Sequence, residues 1–236
     1  MVLIQMLLPL RVVGRSKYRP YVTFFITLAL LATFFWEVVL TSQGGQPIEN
    51  YLPAYAFNTC EIGQVSATEL LKDGVRSLFM TIDLGTMLIN MLFLWIFSPL
   101  VEEFLGSRRF LSFFIFAGLG GYIISAILSR GMCDVIVGPN SAIAGVIAAF
   151  VFLHPGKRIE TAVRPFLDRK MEFPAVFFAV VYLILQFIVD GGGPLSGEFL
   201  PIWDEIGGFI VGFIFIFVVT LFKAAPKADP FEYLDD

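Results

Sequence analysis

Apolar residues fall in long blocks, and polar residues cluster between them. Tyr21–Leu40 is a near-continuous apolar run, interrupted late by Glu37. Leu84–Val101, Phe110–Leu128 and Val135–Leu153 follow, then the shorter Pro174–Val189 and Ile206–Phe222. A helix needs about 20 mostly apolar residues to cross the hydrocarbon core, so the pattern predicts six membrane helices. The last two are short and call for tight packing or a locally thinned bilayer. The expected architecture is an all-α membrane bundle over residues 21–222. A basic segment (1–20) precedes it and a polar tail (223–236), expected to be disordered, follows.

The polar blocks orient the bundle. If the N-terminus is cytoplasmic, the inside segments carry Arg11, Arg15, Lys17, Arg19, Arg108, Arg109, Lys157, Arg158, Arg164, Arg169, Lys170, Lys223 and Lys227. The outside segments carry only Lys72, Arg76 and Arg130. Thirteen against three places both termini in the cytoplasm and, in a bacterium, the outside loops in the periplasm. The apolar stretch Met1–Leu10 comes before the basic residues, the reverse of a secretory signal, and is too short to span. It fits the membrane interface or a partner's surface.

Composition agrees with the pattern. The chain has 236 residues, 57% of them hydrophobic, with 27 phenylalanines and a mean hydropathy of +0.81. Soluble domains are nearer ~45–50% apolar. A net charge of -4 gives no reason to expect nucleic acid. One histidine and two cysteines make no metal-ligand set, and no cofactor is expected. The partners expected are the bilayer and other membrane proteins.

Two blocks depart from simple spans. In the fourth, Pro139-Asn140 reads as a helix start with Asn140 as N-cap. A helix from Ser141 to His154 is about 21 Å long at 1.5 Å per residue, short of the ~30 Å core. It should begin part-way into the membrane, after non-helical backbone over Gly131–Pro139 that must be buried in protein or line a wet cavity. In the outside loop, 41–77, Ser66-Ala67-Thr68-Glu69 fits a capping box ahead of Leu70, Leu71, Val75 and Leu78, which predicts a short interfacial amphipathic helix.

Several motifs together resemble the rhomboid family of intramembrane serine proteases. The segments are Asn90-Met91-Leu92-Phe93-Leu94-Trp95-Ile96-Phe97, then Val101-Glu102-Glu103-Phe104-Leu105-Gly106-Ser107, then Gly138-Pro139-Asn140-Ser141-Ala142-Ile143-Ala144-Gly145, and finally Trp203-Asp204-Glu205-Ile206-Gly207-Gly208. The likeness runs over about residues 76 to 215 and implies a six-helix rhomboid-like fold with a short fourth helix. By this resemblance Asn140 stands where the family has its nucleophilic serine, and Glu205 where it has its general-base histidine. Ala144 stands for the aromatic that packs on that histidine, and Thr86 for a histidine that helps bind the oxyanion. Asn90 keeps the remaining oxyanion position. The resemblance therefore implies a degenerate site and a pseudoprotease rather than an enzyme.

Rescue by other residues is poorly supported. Ser141 is turned about 100° from Asn140 on a helix, and a serine needs a base within hydrogen-bond reach. His154 is the chain's one histidine, thirteen residues further along the same helix, or about 20 Å. Asp204 and Glu205 are adjacent and face different sides of a helix, so a shared-proton acid pair is not expected. Two readings of Asn140 and Glu205 remain. They form a lock between the fourth and sixth helices, or Glu205 reaches solvent beside Asp204. Gly145, Gly208 and Gly212 have the small-residue spacing that lets helix backbones approach. Cys60 and Cys133 both lie on the outside face, where they either form a disulfide or remain free.

Three functions are consistent with these features. The first is an inactive rhomboid relative that recognises transmembrane clients for quality control or regulation. The second is an accessory subunit of a larger membrane complex, and the third, least supported, is a residual protease.

Overall fold

The computed structural model describes residues 7–12, 18–44, 50–51, 54–81, 83–128, 133, 135–163, 170–189 and 202–224. The tail residues 225–236, for which disorder was expected, lie outside them.

Seven α-helices and five short strands make up the described chain. Strand β1 (Leu7–Val12) precedes α1 (Tyr21–Gly44). The connection from α1 onward holds β2 (Phe57–Asn58), a 3-10 turn (Thr59–Glu61) and α2 (Ala67–Ser77). Helices α3 (Leu84–Leu105) and α4 (Ser107–Leu128) follow, then β3 (Val135–Ile136) and α5 (Asn140–Leu153). Strands β4 (Arg158–Val163) and β5 (Lys170–Pro174) lead to α6 (Ala175–Val189) and α7 (Trp203–Ala224).

Four helices are long and apolar enough to cross a membrane: Tyr21–Gly44, Leu84–Leu105, Ser107–Leu128 and Trp203–Lys223. Asn140–Leu153 and Ala175–Gln186 are apolar but shorter. The six expected spans thus resolve into four full-length helices and two short ones. With 14 residues, α5 rises only about 21 Å. Apolar runs in the sequence overstate helix length here because Val135–Pro139 is spent on a strand and an entry turn.

Local chemistry fixes the helix ends. Ser66 caps α2 in a full capping box, its hydroxyl accepting from the Glu69 N–H while the Glu69 side chain reaches back to the Ser66 backbone. Asp83 caps α3, accepting from the N–H groups of Gly85 and Thr86. Gly106 separates α3 from α4 at φ 80°, a backbone conformation that costs glycine little. Glu102 of α3 is fully buried and accepts from the backbone N–H groups of Val22 and Thr23 at 3.0 and 2.9 Å. It also accepts from the Thr23 and Ser107 hydroxyls. One carboxylate thereby satisfies the exposed donors at the start of α1 and anchors that helix to α3.

The centre of the bundle is α5, buried along Asn140–Phe150 and flanked by α4 and α7. Glycines set these distances. A Cβ on Gly208 would lie 2.0 Å from the Ser141 carbonyl oxygen, and one on Gly212 2.5 Å from the Gly145 Cα. A Cβ on Gly121 would lie 2.5 Å from the Asp204 carbonyl oxygen. Helices α4, α5 and α7 therefore meet backbone to backbone, the geometry small residues allow where lipid supplies no hydrophobic drive between helices.

Two small sheets lie at opposite ends of the bundle. β2 pairs antiparallel with β3 at the end where α5 begins. At the other end β1, β4 and β5 form an antiparallel sheet in that order. Its inner face, with Val12 and Ile159, joins the core. The apolar N-terminal stretch was expected to seek the interface or a partner. From Leu7 onward it finds a strand of its own chain instead, since pairing satisfies its backbone groups while Val12 is buried.

Candidate functional site

Asn140, Asn90 and Glu205 converge at the N-terminal end of α5. Asn140 is 5% exposed, Asn90 1% and Glu205 2%. Asn90 Nδ2 donates to Asn140 Oδ1 at 2.6 Å, and Asn140 Nδ2 donates to Glu205 Oε1 at 3.4 Å. The Asn140 carboxamide thus joins α3 to α7 through the first residue of α5. Its expected role as N-cap is corrected. The helix begins at Asn140 with Pro139 in the cap position and no side-chain cap bond. An amide whose oxygen is held by Asn90 is not available to cap its own helix.

Helix α6 contributes a second layer that the sequence reading missed. Tyr182 is fully buried, and its hydroxyl lies 3.1 Å from the Asn140 carbonyl oxygen and 3.5 Å from Asn90 Oδ1. Gln186 Nε2 donates to the Tyr182 hydroxyl at 3.1 Å. Tyr182 and Gln186 are four apart in an otherwise apolar helix, and that spacing is the signal that marks one polar stripe facing inward. Tyr122 of α4, also missed, donates from its hydroxyl to the Gly138 carbonyl at 2.6 Å and fixes the turn before Asn140. Gly138 has φ 107°.

Asp204 and Glu205 point in different directions around α7, as expected, yet neither direction leads to solvent. Both are buried, Asp204 at 7% exposure. Their position explains this. They open α7 where it meets α4 on one side and α5 on the other, so neighbouring directions around the helix both point into protein. Glu205 therefore does not reach solvent beside Asp204.

The other candidate residues sit as follows. Thr86 donates to Asp83 Oδ2 at 2.5 Å within its own helix start. Ala144 is fully buried one turn after Asn140. Ser141 is fully buried and donates to the Gly118 carbonyl at 3.1 Å, so its hydroxyl is directed at α4 backbone. His154 is at the opposite end of α5, as its C-cap, beside the Phe150 ring. Burial, helped by the charge of Lys157, holds its pKa below the ordinary 6.5. Among the described residues, no group of three or more His, Cys, Asp and Glu side chains could hold a metal ion.

The segment leading into α5 is pinned from the loop between α1 and α3. Cys60 and Cys133 are joined in a disulfide, with Cα atoms 5.0 Å apart. Beyond it, Phe57 and Asn58 pair with Ile136 and Val135. The Ser77 hydroxyl donates to the Ile136 carbonyl, and the Gly138 N–H donates to the Ser77 carbonyl at 3.0 Å.

Comparison with known proteins agrees with this arrangement. No curated protein matches the chain. The family model described as the Rhomboid domain matches residues 72–222, a stretch that runs from α2 to the end of α7 and contains every member of the buried polar network. The apolar helices and this match together mark an integral membrane protein, and the chain belongs to the rhomboid family.

Proposed function

We propose that this rhomboid-family protein is proteolytically inactive and binds other transmembrane proteins, in client recognition, quality control or regulation. The observation that carries the reading is the hydrogen-bonded set Asn90–Asn140–Glu205. By family resemblance these positions belong, in that order, to an oxyanion donor, the nucleophile and the base. Here two amides and a carboxyl engage one another, and none of them is a nucleophile with a base beside it. Ser141 is committed to Gly118, and His154 is at the far end of the helix. In this reading Asn140 and Glu205 are a helix-to-helix lock, and Gly145, Gly208 and Gly212 let α5 and α7 come close enough for it to form.

The same reading has six membrane helices, two of them short, with both termini cytoplasmic and the Cys60–Cys133 disulfide on the oxidising side. In a bacterium this is the inner membrane. The positive charge excess at one end supports the orientation, and short helices α5 and α6 fit a locally thinned bilayer.

Two measurements test it. A serine-reactive phosphonate probe applied to the protein in native membranes is expected to give no covalent adduct; an adduct on Ser141 would sink the inactive reading. Purification in gentle detergent from the same membranes is expected to recover varied transmembrane proteins at sub-stoichiometric amounts. A single partner set in fixed ratio would instead favour the accessory-subunit reading, for which the exposed rings Phe24, Phe25, Phe35, Phe213 and Phe217 offer apolar faces.

A further inference from the structure

Residues 54–61 lie against the segment that leads into α5, and one side chain anchors them. Phe57 is 2% exposed. Its ring is 5.2 Å from that of Tyr122. It also lies over Gly74 of α2, where an added Cβ would come within 3.4 Å of it. Ala56 is buried with Met80, and Tyr55 and Val137 pack beside them. The Tyr122 hydroxyl donates to the Gly138 carbonyl, so the socket that holds Phe57 is one bond away from the turn before Asn140.

The ties on the segment before α5 run in series, and their accessibility falls along it. First comes the Cys60–Cys133 disulfide, with Cys133 exposed and Cys60 half-buried. Asn58 sets Cys60 in place, its side chain accepting from the Cys60 N–H at 3.0 Å. Next is the β2–β3 ladder, two residues long, with Val135 40% exposed and Ile136 buried. Last are the bonds of Ser77 with Ile136 and Gly138, and of Tyr122 with Gly138, all at buried residues. The covalent tie is thus the one a soluble reagent can reach, while the ties nearest Asn140 are shielded. An isolated strand pair is marginally stable in water, so so short a ladder depends on the bond beside it.

We propose that residues 54–61 are a lid with Phe57 as its plug, and that the Cys60–Cys133 disulfide is a latch opened by a dithiol reductant. A thiolate of the reductant attacks the exposed Cys133 sulfur and breaks the bond, which leaves a mixed disulfide and a Cys60 thiolate that takes up a proton. The reductant's second thiol then attacks its own sulfur in the mixed disulfide, and Cys133 departs as a thiolate and is protonated. The dithiol ends as a disulfide, and its two electrons end on Cys60 and Cys133. With the latch open the ladder parts, Phe57 leaves its socket, and the Tyr122 ring, Met80 and Val137 are uncovered. The bonds to Ser77 and Tyr122 stay, so Asn140 keeps its place. The switch goes beyond partner binding and does not depend on it.

The test is amide hydrogen exchange on the full chain in phosphatidylcholine nanodiscs. One sample stays oxidised, and the other is treated with dithiothreitol and then iodoacetamide to keep the thiols apart. Amides in 56–60 and 135–136 are expected to exchange at least about tenfold faster after reduction, while those of Ser141–Phe150 hold their protection. Cys60→Ser with Cys133→Ser should give the same pattern without reductant. Unchanged protection of 56–60 after complete reduction overturns the lid. Protection lost throughout α5 and α7 overturns it as well, because the bond then holds the bundle together. A disulfide that dithiothreitol reduces only in denatured protein overturns the latch.

Discussion

Asn140 Nδ2 donates to Glu205 across the α5–α7 junction while Asn140 Oδ1 accepts from Asn90. One carboxamide therefore reads two helices at once, and the strength of that coupling is measurable. Intramembrane side-chain hydrogen bonds contribute about 0.6 kcal/mol on average and up to about 2 kcal/mol. In a double-mutant cycle, Asn140→Ala and Glu205→Ala should show a coupling in that range by unfolding in mixed micelles. Additivity within about 0.3 kcal/mol would mean that the pair does not lock the helices.

Backbone contact between α5 and α7 predicts a sharper effect. A methyl group at Gly208 would lie 2.0 Å from the Ser141 carbonyl oxygen, which is backbone and cannot swing away. Gly208→Ala should cost more than the roughly 1–3 kcal/mol of ordinary overpacking and prevent stable purification. Gly156→Ala is the control, because nothing lies within 4 Å of the added atom. Its thermal midpoint should match the parent's.

The disulfide closes a loop across 73 positions. In the chain-entropy account a loop of that size is worth about 4 kcal/mol. Reduction, or Cys60→Ser with Cys133→Ser, should lower the thermal midpoint, and alkylation without reductant should add no mass. Two alkylated thiols in the unreduced protein would contradict the bond.

Asp83 gives a pH dependence with a definite sign. Partial burial raises its pKa, but hydrogen bonds from the Thr86 hydroxyl and from the N–H groups of Thr86 and Gly85 outweigh this. They hold the carboxyl below its ordinary 3.8. A depressed folded value means that the carboxylate stabilises the fold above the unfolded pKa. That stability is lost as pH falls through the folded one. Asp83→Ala should cost about 1 kcal/mol at neutral pH, as an N-cap does. The difference between variant and parent should shrink below about pH 4. A gap independent of pH would assign the loss to packing instead.

The bundle could be read from sequence because membrane helices announce themselves as apolar blocks, and the capping box at Ser66 appeared where its residue types demanded. The β1–β4–β5 sheet could not. Arg158–Val163 and Lys170–Pro174 alternate over only six and five residues, and their charges read equally well as positive-inside loops. The partnership of Asn140 with Glu205 came from family resemblance, but the burial of Asp204 did not. Helical spacing separates 204 from 205 by about 100°, and only the packing of α7 between α4 and α5 makes both directions interior. Asn140 was placed as a cap on residue type alone, since nothing local reveals that Asn90, fifty positions earlier, competes for its oxygen.

The pairing of Leu7 with Val163 also sets an order of events. β1 leaves the ribosome about 150 residues before its partner, and at ~5–20 residues per second it waits on the order of 10–30 s. The apolar helices α1, α3, α4 and α5 are made in that interval. The N-terminal strand can be completed only when residue 163 is on the same side as residue 7, which an even number of crossings provides, as four do if α1, α3, α4 and α5 each cross. Pairing of β1 with β4 therefore works as a topology check, because a chain that skipped one crossing would leave these strands on opposite sides of the membrane.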